Sequence, residues 1–395
     1  MVSRNIFATG NFMMKDVTRI HLQRTMKGRA MLYEDYKNWY TLDVEPKKYY
    51  AEIAAVQDPD PQATARTRDT DATIPASARE LLFNISAEIK NHFHEFGSPM
   101  PPLMEGCTVV DLCCGSGRDT YLAAQLVGEQ GKVIGVEPDA NRLAKAEKYL
   151  DQEIAQFDYD APNVELIHGV PEDLSMIPDE SVDIVISNCT FNLSPDKDAY
   201  VREVKRILKE DGEWYFTDVF TDRRIPLEKA HNIKLRALRL SGAMYISDFR
   251  RLVQHYEFLD PRYLMTFKTP LTPSEQGLFP DIAFATITVR AMKSRWAEDV
   301  CESYGETVTY KGNLPDYPDA FLFDSNIKFA TGKTCPVCGN VTSIAMHSRY
   351  SSAFETTGNR DQHIGDTHGD HIIKTAPDYE GVYDEDDQPI NASCC

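Results

Sequence analysis

Thr108-Val109-Val110-Asp111-Leu112-Cys113-Cys114-Gly115-Ser116-Gly117-Arg118-Asp119 is the stretch on which the reading of this chain turns. Thr108 to Leu112 is rich in β-branched residues, as a buried parallel strand should be, and the run breaks at a glycine pair before an amphipathic segment. That segment continues to Val127, and Gly131-Lys132-Val133-Ile134-Gly135-Val136-Glu137 reads as a second strand. The order is strand, tight loop, helix, strand. Gly115 and Gly117 let the backbone turn sharply and a ligand approach it closely, while Glu137 ends the second strand where ribose hydroxyls could be bound.

Such a loop could hold a dinucleotide or S-adenosylmethionine, and the residues separate the two. A pyrophosphate reader wants a third glycine three positions after the second; here that position is Thr120. Asp111, placed before the loop, suits a ligand carrying an amine and a sulfonium, and would repel a pyrophosphate. S-adenosylmethionine is therefore the expected cofactor.

At 395 residues and 44.7 kDa the chain is long enough for two domains, or for one with appendages. A net charge of −19 repels phosphate backbones, which disfavours a nucleic-acid partner and favours a small molecule or inorganic substrate. No apolar run is long enough to span a bilayer and no signal-peptide core follows Met1, so a cytoplasmic protein with no membrane partner is expected. The basic stretch Met1 to Arg29, with Asp16 as its one acid, faintly resembles an organellar leader. Nine cysteines without a secretion signal suggest thiols, ligands or a redox pair more than a disulfide framework.

Upstream, Tyr33, Tyr36, Trp39 and Tyr40 form an aromatic cluster, Tyr49-Tyr50 opens a short helix, Gln57 to Pro75 is a polar loop or lid, and Ser77 to Phe96 has helical spacing. Downstream, helices are expected over Asn141–Tyr159 and Asp198–Lys209, with strands at Val164–His168, Val182–Ser187 and Glu213–Val219. Leu227–Ser241 and Ser247–Tyr256 read as helices, and Tyr263–Phe267 and Phe284–Met292 as closing strands. Strict alternation implies an α/β fold with a doubly wound, mostly parallel sheet, whose ligands sit beyond the carboxyl ends of the strands. The expected organisation is an N-terminal helical extension and lid over 1–106, a cofactor-binding domain over 107–293, a small C-terminal α+β region over 294–355, and an acidic tail, expected to be disordered, over 356–395. Within 294–355, Asp324–Thr334 alternates weakly like a hairpin. Cys335-Pro336-Val337-Cys338 has ligand spacing but no second pair nearby, leaving a zinc site, a redox or metalloid-shuttling pair and a plain turn as readings; no metal site is assigned. His363, His368 and His371 with the terminal cysteines read as solvated residues of the tail.

Several stretches together resemble the arsenite methyltransferase family. They are Tyr49-Tyr50, Asp111-Leu112 with Gly115-Ser116-Gly117-Arg118-Asp119, Leu126 to Glu129, Ala146 to Leu150, and Ile167-His168-Gly169 with Glu172. Further matches are Ser187-Asn188-Cys189 with Asn192-Leu193, Gly212-Glu213 with Tyr215-Phe216 and Asp218-Val219, Gly242 to Tyr245, Phe323-Asp324, Ser348 to Tyr350 and the Cys394-Cys395 end. The resemblance implies a Rossmann-like class I methyltransferase fold. It also implies cofactor contacts from Tyr49, Tyr50, Asp111, Gly115, Ser116, Gly117, Arg118, Glu137, Pro138, Val170, Glu172 and Asn188, and a catalytic and substrate-binding role for Cys189.

The family binds trivalent arsenic through several cysteines, because a soft centre is held best by thiolates. Where two of those would align, this chain has Phe96 and Arg239, and the 57–75 loop contains none. Cys113 and Cys114 lie in the glycine loop, where packing is the blander role. The activity that the resemblance implies is methylation of arsenite or a methylated arsenical, delivered as a thiol adduct with glutathione or thioredoxin as reductant. The alternative keeps the chemistry and changes the acceptor, with Arg239 binding a small organic carboxylate. A third reading is a cofactor-binding metalloid sensor without turnover.

Overall fold

The structure, a computed structural model, describes residues 37–56, 75–91, 99–157 and 159–366. The 57–74 part of the lid, Phe96, His368, His371, the terminal cysteines, Tyr33 and Tyr36 lie outside the described residues. The central sheet contains β1 (Thr108–Leu112), β2 (Lys132–Glu137), β3 (Val164–His168), β4 (Val182–Asn188), β5 (Leu208–Thr221), β6 (Met244–Tyr245), β7 (Arg262–Lys268) and β8 (Phe284–Met292). Its order is β3-β2-β1-β4-β5-β8-β7, with β6 paired to the end of β5. β1 to β5 run parallel; β8 is antiparallel to both β5 and β7. This is the Rossmann-like class I arrangement, and the strand order reverses between β1 and β4, which opens a crevice at their carboxyl ends.

Side-chain alternation decides which core each residue joins. Val109, Val133, Ile184 and Ile186 pack under the helix Arg118–Val127 and the short N-terminal helix Ala76–Asn84. Val110, Leu112, Val136 and Val185 face the opposite side, where Tyr200, Val201 and Val204 of the helix Lys197–Ile207 meet Trp214, Phe216 and Phe249. Trp214 stacks on Phe216 with ring centroids 4.2 Å apart. The central strands are therefore buried on both faces.

Several expected boundaries move where a local side chain competes with apolar spacing. Leu227–Ser241 is two helices, Leu227–Ala230 and Ile233–Ala237, because the Asn232 side chain accepts from the amides of Lys234 and Leu235 and starts a new helix. The helix expected from Ser77 ends at Asn84 and restarts at Ala87 after Ile85 and Ser86 turn extended. The hairpin expected over Asp324–Thr334 instead pairs Ala320–Leu322 with Lys328–Ala330. Asp324 belongs to its turn, accepting from the amides of Asn326 and Ile327 at 2.8 and 2.9 Å. Thr334–Pro336 joins a separate sheet with Thr307–Tyr310 and Phe354–Thr357, and a strand at Gly365–Asp366 lies past position 356.

The C-terminal region docks at the end of the sheet away from the crevice, and a buried ion cluster ties it there. Glu213, near the start of β5, accepts from Arg290 Nε at 2.5 Å, from Arg349 and from the Tyr350 hydroxyl. Burial pushes the Glu213 carboxyl up, but Arg349 and Arg290 outweigh it and hold the group below its usual range. Glu213→Ala should lower the unfolding free energy by about 3–5 kcal/mol in urea titrations, since two guanidinium groups would be left buried without their counter-charge. Among the described residues no helix is long and apolar enough to cross a membrane.

Candidate active site

The glycine loop bends through left-handed conformations at Cys113, Gly115 and Gly117, with φ of 56°, 61° and 92°. The two glycines serve different ends. A Cβ on Gly117 would stand 2.7 Å from the Tyr121 ring, so this glycine lets the helix pack closely; one on Gly115 would meet nothing within 4 Å. The open side of the loop is at Gly115, whose amide donates to Glu137 Oε2 at 2.8 Å. Glu137 Oε1 accepts from the Asp139 amide at 2.9 Å, so one carboxylate joins the loop to the end of β2. Burial raises its pKa against those hydrogen bonds.

Asp111 lies beneath the loop, where its carboxylate accepts from Thr120 Oγ1 at 2.7 Å. Burial first, then the charge of Asp119, pushes its pKa well above the carboxylate range. The residue standing where a dinucleotide loop has its third glycine thus anchors Asp111. Arg118 donates to Asp119, which accepts from Asn188 Nδ2 at 3.1 Å, so the loop is wired to the end of β4. Ser116 donates to the Ile89 carbonyl, and the Pro138 carbonyl lies 2.9 Å from His168 Nε2.

Tyr49 and Tyr50, on the helix Pro46–Val56, pack edge to face with centroids 5.8 Å apart and share a cluster with Val170, Leu193 and Cys113. Tyr50 donates to Glu172 Oε1 at 3.1 Å, and Ser194 Oγ to the same oxygen at 2.5 Å. Burial lifts Glu172 from 4.5 to about 7, against the bonds from Ser194 and Tyr50. The folded state therefore holds this proton more tightly than the unfolded chain does. Its contribution to stability is full below pH 4.5 and is lost as pH rises toward 7. Glu172→Gln removes that dependence, so the variant should gain up to about 3 kcal/mol on the parent across this window in urea unfolding at stepped pH.

Cys189 follows Asn188 directly and is left-handed, at φ 56°; its amide donates to the Thr217 carbonyl at 2.8 Å. Its side chain is fully buried among Val219, Leu240, Ala243 and Phe284. Arg239 is also left-handed, at φ 62°, and its charge acts on Asp218. Left-handed non-glycine residues cost free energy, and three of them surround this one crevice. Asp218 accepts from the amides of Asn192 and Val219 at 3.0 and 2.7 Å, and burial raises it to about 6. Lys197 donates to the Phe191 carbonyl at 2.5 Å, and Arg236 to the carbonyls of Ala230 and Ser194. Gly242 touches this segment so closely that a Cβ would stand 1.9 Å from the Asn192 carbonyl oxygen.

The structure thus gathers the anticipated residues from Tyr49 to Arg239 around the carboxyl ends of β1, β2 and β4. Sequence reasoning gave no site role to Thr120, Ser194, Lys197, Arg236 or Asp218. Only Asp218 left a signal, as an acid inside an apolar strand. Cys335 and Cys338 do not form a pair: Cys335 is disulfide-bonded, whereas Cys338 is a free thiol that lies 3.9 Å from Arg262 Nη2. Among the described residues no group of three or more His, Cys, Asp or Glu is placed to hold a metal ion.

The chain is similar to known proteins along most of its length. A family model for a methyltransferase domain matches residues 103–257, and one for the arsenite methyltransferase C-terminal domain matches residues 304–385. An arsenite methyltransferase of Aquipseudomonas alcaligenes is 38% identical over 299 residues, covering 74% of this chain and 85% of the relative. The chain belongs to the arsenite methyltransferase family. The human arsenite methyltransferase is 34% identical over 290 residues, covering 72% of this chain and 76% of the relative. The crystal structure of an arsenic(III) S-adenosylmethionine methyltransferase from Chlamydomonas reinhardtii superposes with a TM-score of 0.72 at 36% identity, covering 74% of this chain and 99% of that one. As a member of the arsenite methyltransferase family the chain is an S-adenosylmethionine-dependent methyltransferase. The organic-acceptor alternative is not favoured by these relatives.

Proposed function

We propose that this chain methylates trivalent arsenic, as arsenite or a methylated arsenical, with S-adenosylmethionine as donor and Cys189 as the thiol that holds the acceptor. The observation that carries the reading is the hydrogen bond from Asn188 to Asp119, which ties the residue before Cys189 to the glycine loop. The loop suits the donor: a Cβ on Gly115 would meet nothing within 4 Å, so the backbone there is open to a ligand. S-adenosylmethionine supplies an electrophilic methyl on a sulfonium, and the arsenic lone pair is a nucleophile that needs no base, so positioning supplies most of the rate.

The proposal gives each residue a role. Glu137 keeps lone pairs beyond its two amide bonds and accepts the ribose hydroxyls. Tyr49, Tyr50 and Val170 cover the cofactor's apolar faces, while Asp111, Arg118, Pro138, Glu172 and Asn188 fix the loops around it. Cys189 forms one As–S bond, and a cellular thiol such as glutathione, or a thioredoxin, supplies the remaining sulfur and the reducing equivalents in the cytoplasm. Arg239, bearing on Asp218, orients the segment opposite Cys189. Incubation with S-adenosylmethionine, arsenite and glutathione, read by mass spectrometry, should yield methylated arsenicals; their absence overturns the assignment.

A further inference from the structure

The docked C-terminal region carries a second thiol constellation, at the opposite end of the sheet. Arg262 opens β7, which runs parallel to β5, so it lies at the end away from the crevice. Cys338 caps the helix Gly339–His347, and Arg262 Nη2 is 3.9 Å from its sulfur. Cys301, half-buried, packs against the core cluster that holds Cys338 and lines a cleft with Asp260, Arg262, Asp324 and Asn326. Neither thiol is in a disulfide.

We propose that Cys301 and Cys338 form a dithiol site for a monosubstituted trivalent arsenical, separate from the methyl-transfer crevice. Two thiols gathered around one guanidinium, that of Arg262, match an acceptor that needs two thiolates and brings its own third substituent as a carbon. With no three-residue His, Cys, Asp or Glu cluster among the described residues, a zinc site or an all-protein sulfur triad is not offered. The Cys301 bond, despite burial and with help from Arg262, lowers Cys338 to about 6, whereas its bond to Cys338 and burial push Cys301 up. Cys338 is therefore the thiolate that attacks first. Two As–O bonds break and two As–S bonds form. The two hydroxides leave as water, taking one proton from Cys301 and one from solvent, and no oxidation state changes.

The test uses the reduced full-length chain bearing Cys189→Ser, with phenylarsine oxide as the probe. One equivalent should slow alkylation of Cys301 and Cys338 together by at least about tenfold, mapped by peptide mass spectrometry, and 2,3-dimercaptopropanol should restore it. Adding Cys301→Ser, or Cys301→Ala should the serine variant melt early, should remove the protection of Cys338. Equal alkylation with and without the probe, or protection of Cys338 that persists without Cys301, overturns the site. Failure of arsenite methylation by the unsubstituted chain, with this protection intact in the Cys189→Ser chain, would overturn the proposed function and leave the dithiol site standing.

Discussion

Cys189→Ser should lower arsenite methylation by at least about 100-fold, equivalent to about 2.7 kcal/mol of transition-state stabilisation, while S-adenosylmethionine affinity stays within about threefold. Serine keeps the size of the side chain and meets the same left-handed backbone at φ 56°, so the loop it occupies is retained. What changes is the donor: oxygen is a hard ligand and forms no durable bond to a soft trivalent centre. Burying a hydroxyl among Val219, Leu240 and Phe284 adds a stability cost of about 1–3 kcal/mol, visible as a lower melting temperature and distinct from the kinetic effect. Product mass spectrometry and calorimetric titration with the cofactor separate the two. Full activity in the serine variant, or lost cofactor binding, would remove Cys189 from the acceptor role.

Glu137→Ala should act on the other partner. Glu137 is the one carboxylate bonded to both the Gly115 and the Asp139 amides, so its loss unhinges the glycine loop from β2 and removes the proposed ribose acceptor. Hydrogen bonds to a charged group are worth about 1.5–3 kcal/mol each, so the Kd for S-adenosylhomocysteine should rise at least about 30-fold in calorimetry. Asp111→Asn, by contrast, keeps an acceptor for Thr120 and should change that affinity less. An unaltered Kd for Glu137→Ala would place the ribose elsewhere.

The parts of the fold that were legible in the chain are those where side-chain type alone sets the backbone. β-branched runs specify β1 and β3, the glycines specify the loop, and β8 matches its expected bounds. Apolar periodicity continues through the breaks at Ser86 and Asn232, which hides both; the Asn232 side chain caps the helix that follows it, and the Ser86 amide donates instead to Glu153. β5 begins at Leu208, ahead of the expected Glu213, because the polar run Lys209-Glu210-Asp211 and Gly212 hide the strand character of a segment that starts at buried Leu208. At the site, motif residues were visible by spacing, but the buried charges were not. Lys197 and Arg236 sit on helices whose polar positions look solvated until the tertiary fold covers them. Thr120 illustrates a different failure: read only as a missing glycine, it is the donor that fixes Asp111. The spacing of Cys335 and Cys338 leaves a zinc site, a redox or metalloid-shuttling pair and a plain turn as readings, whereas the fold sets Cys338 beside Arg262, which lines a cleft with Cys301 from a distant segment.

The most direct test of the central claim is a crystal structure of the chain with S-adenosylhomocysteine and arsenite. The account predicts the adenosyl group between Glu137 and Asn188, with arsenic bonded to Cys189 on the side where the sulfonium would carry its methyl. Arsenic bound without Cys189, or a cofactor lying away from Gly115, would contradict it.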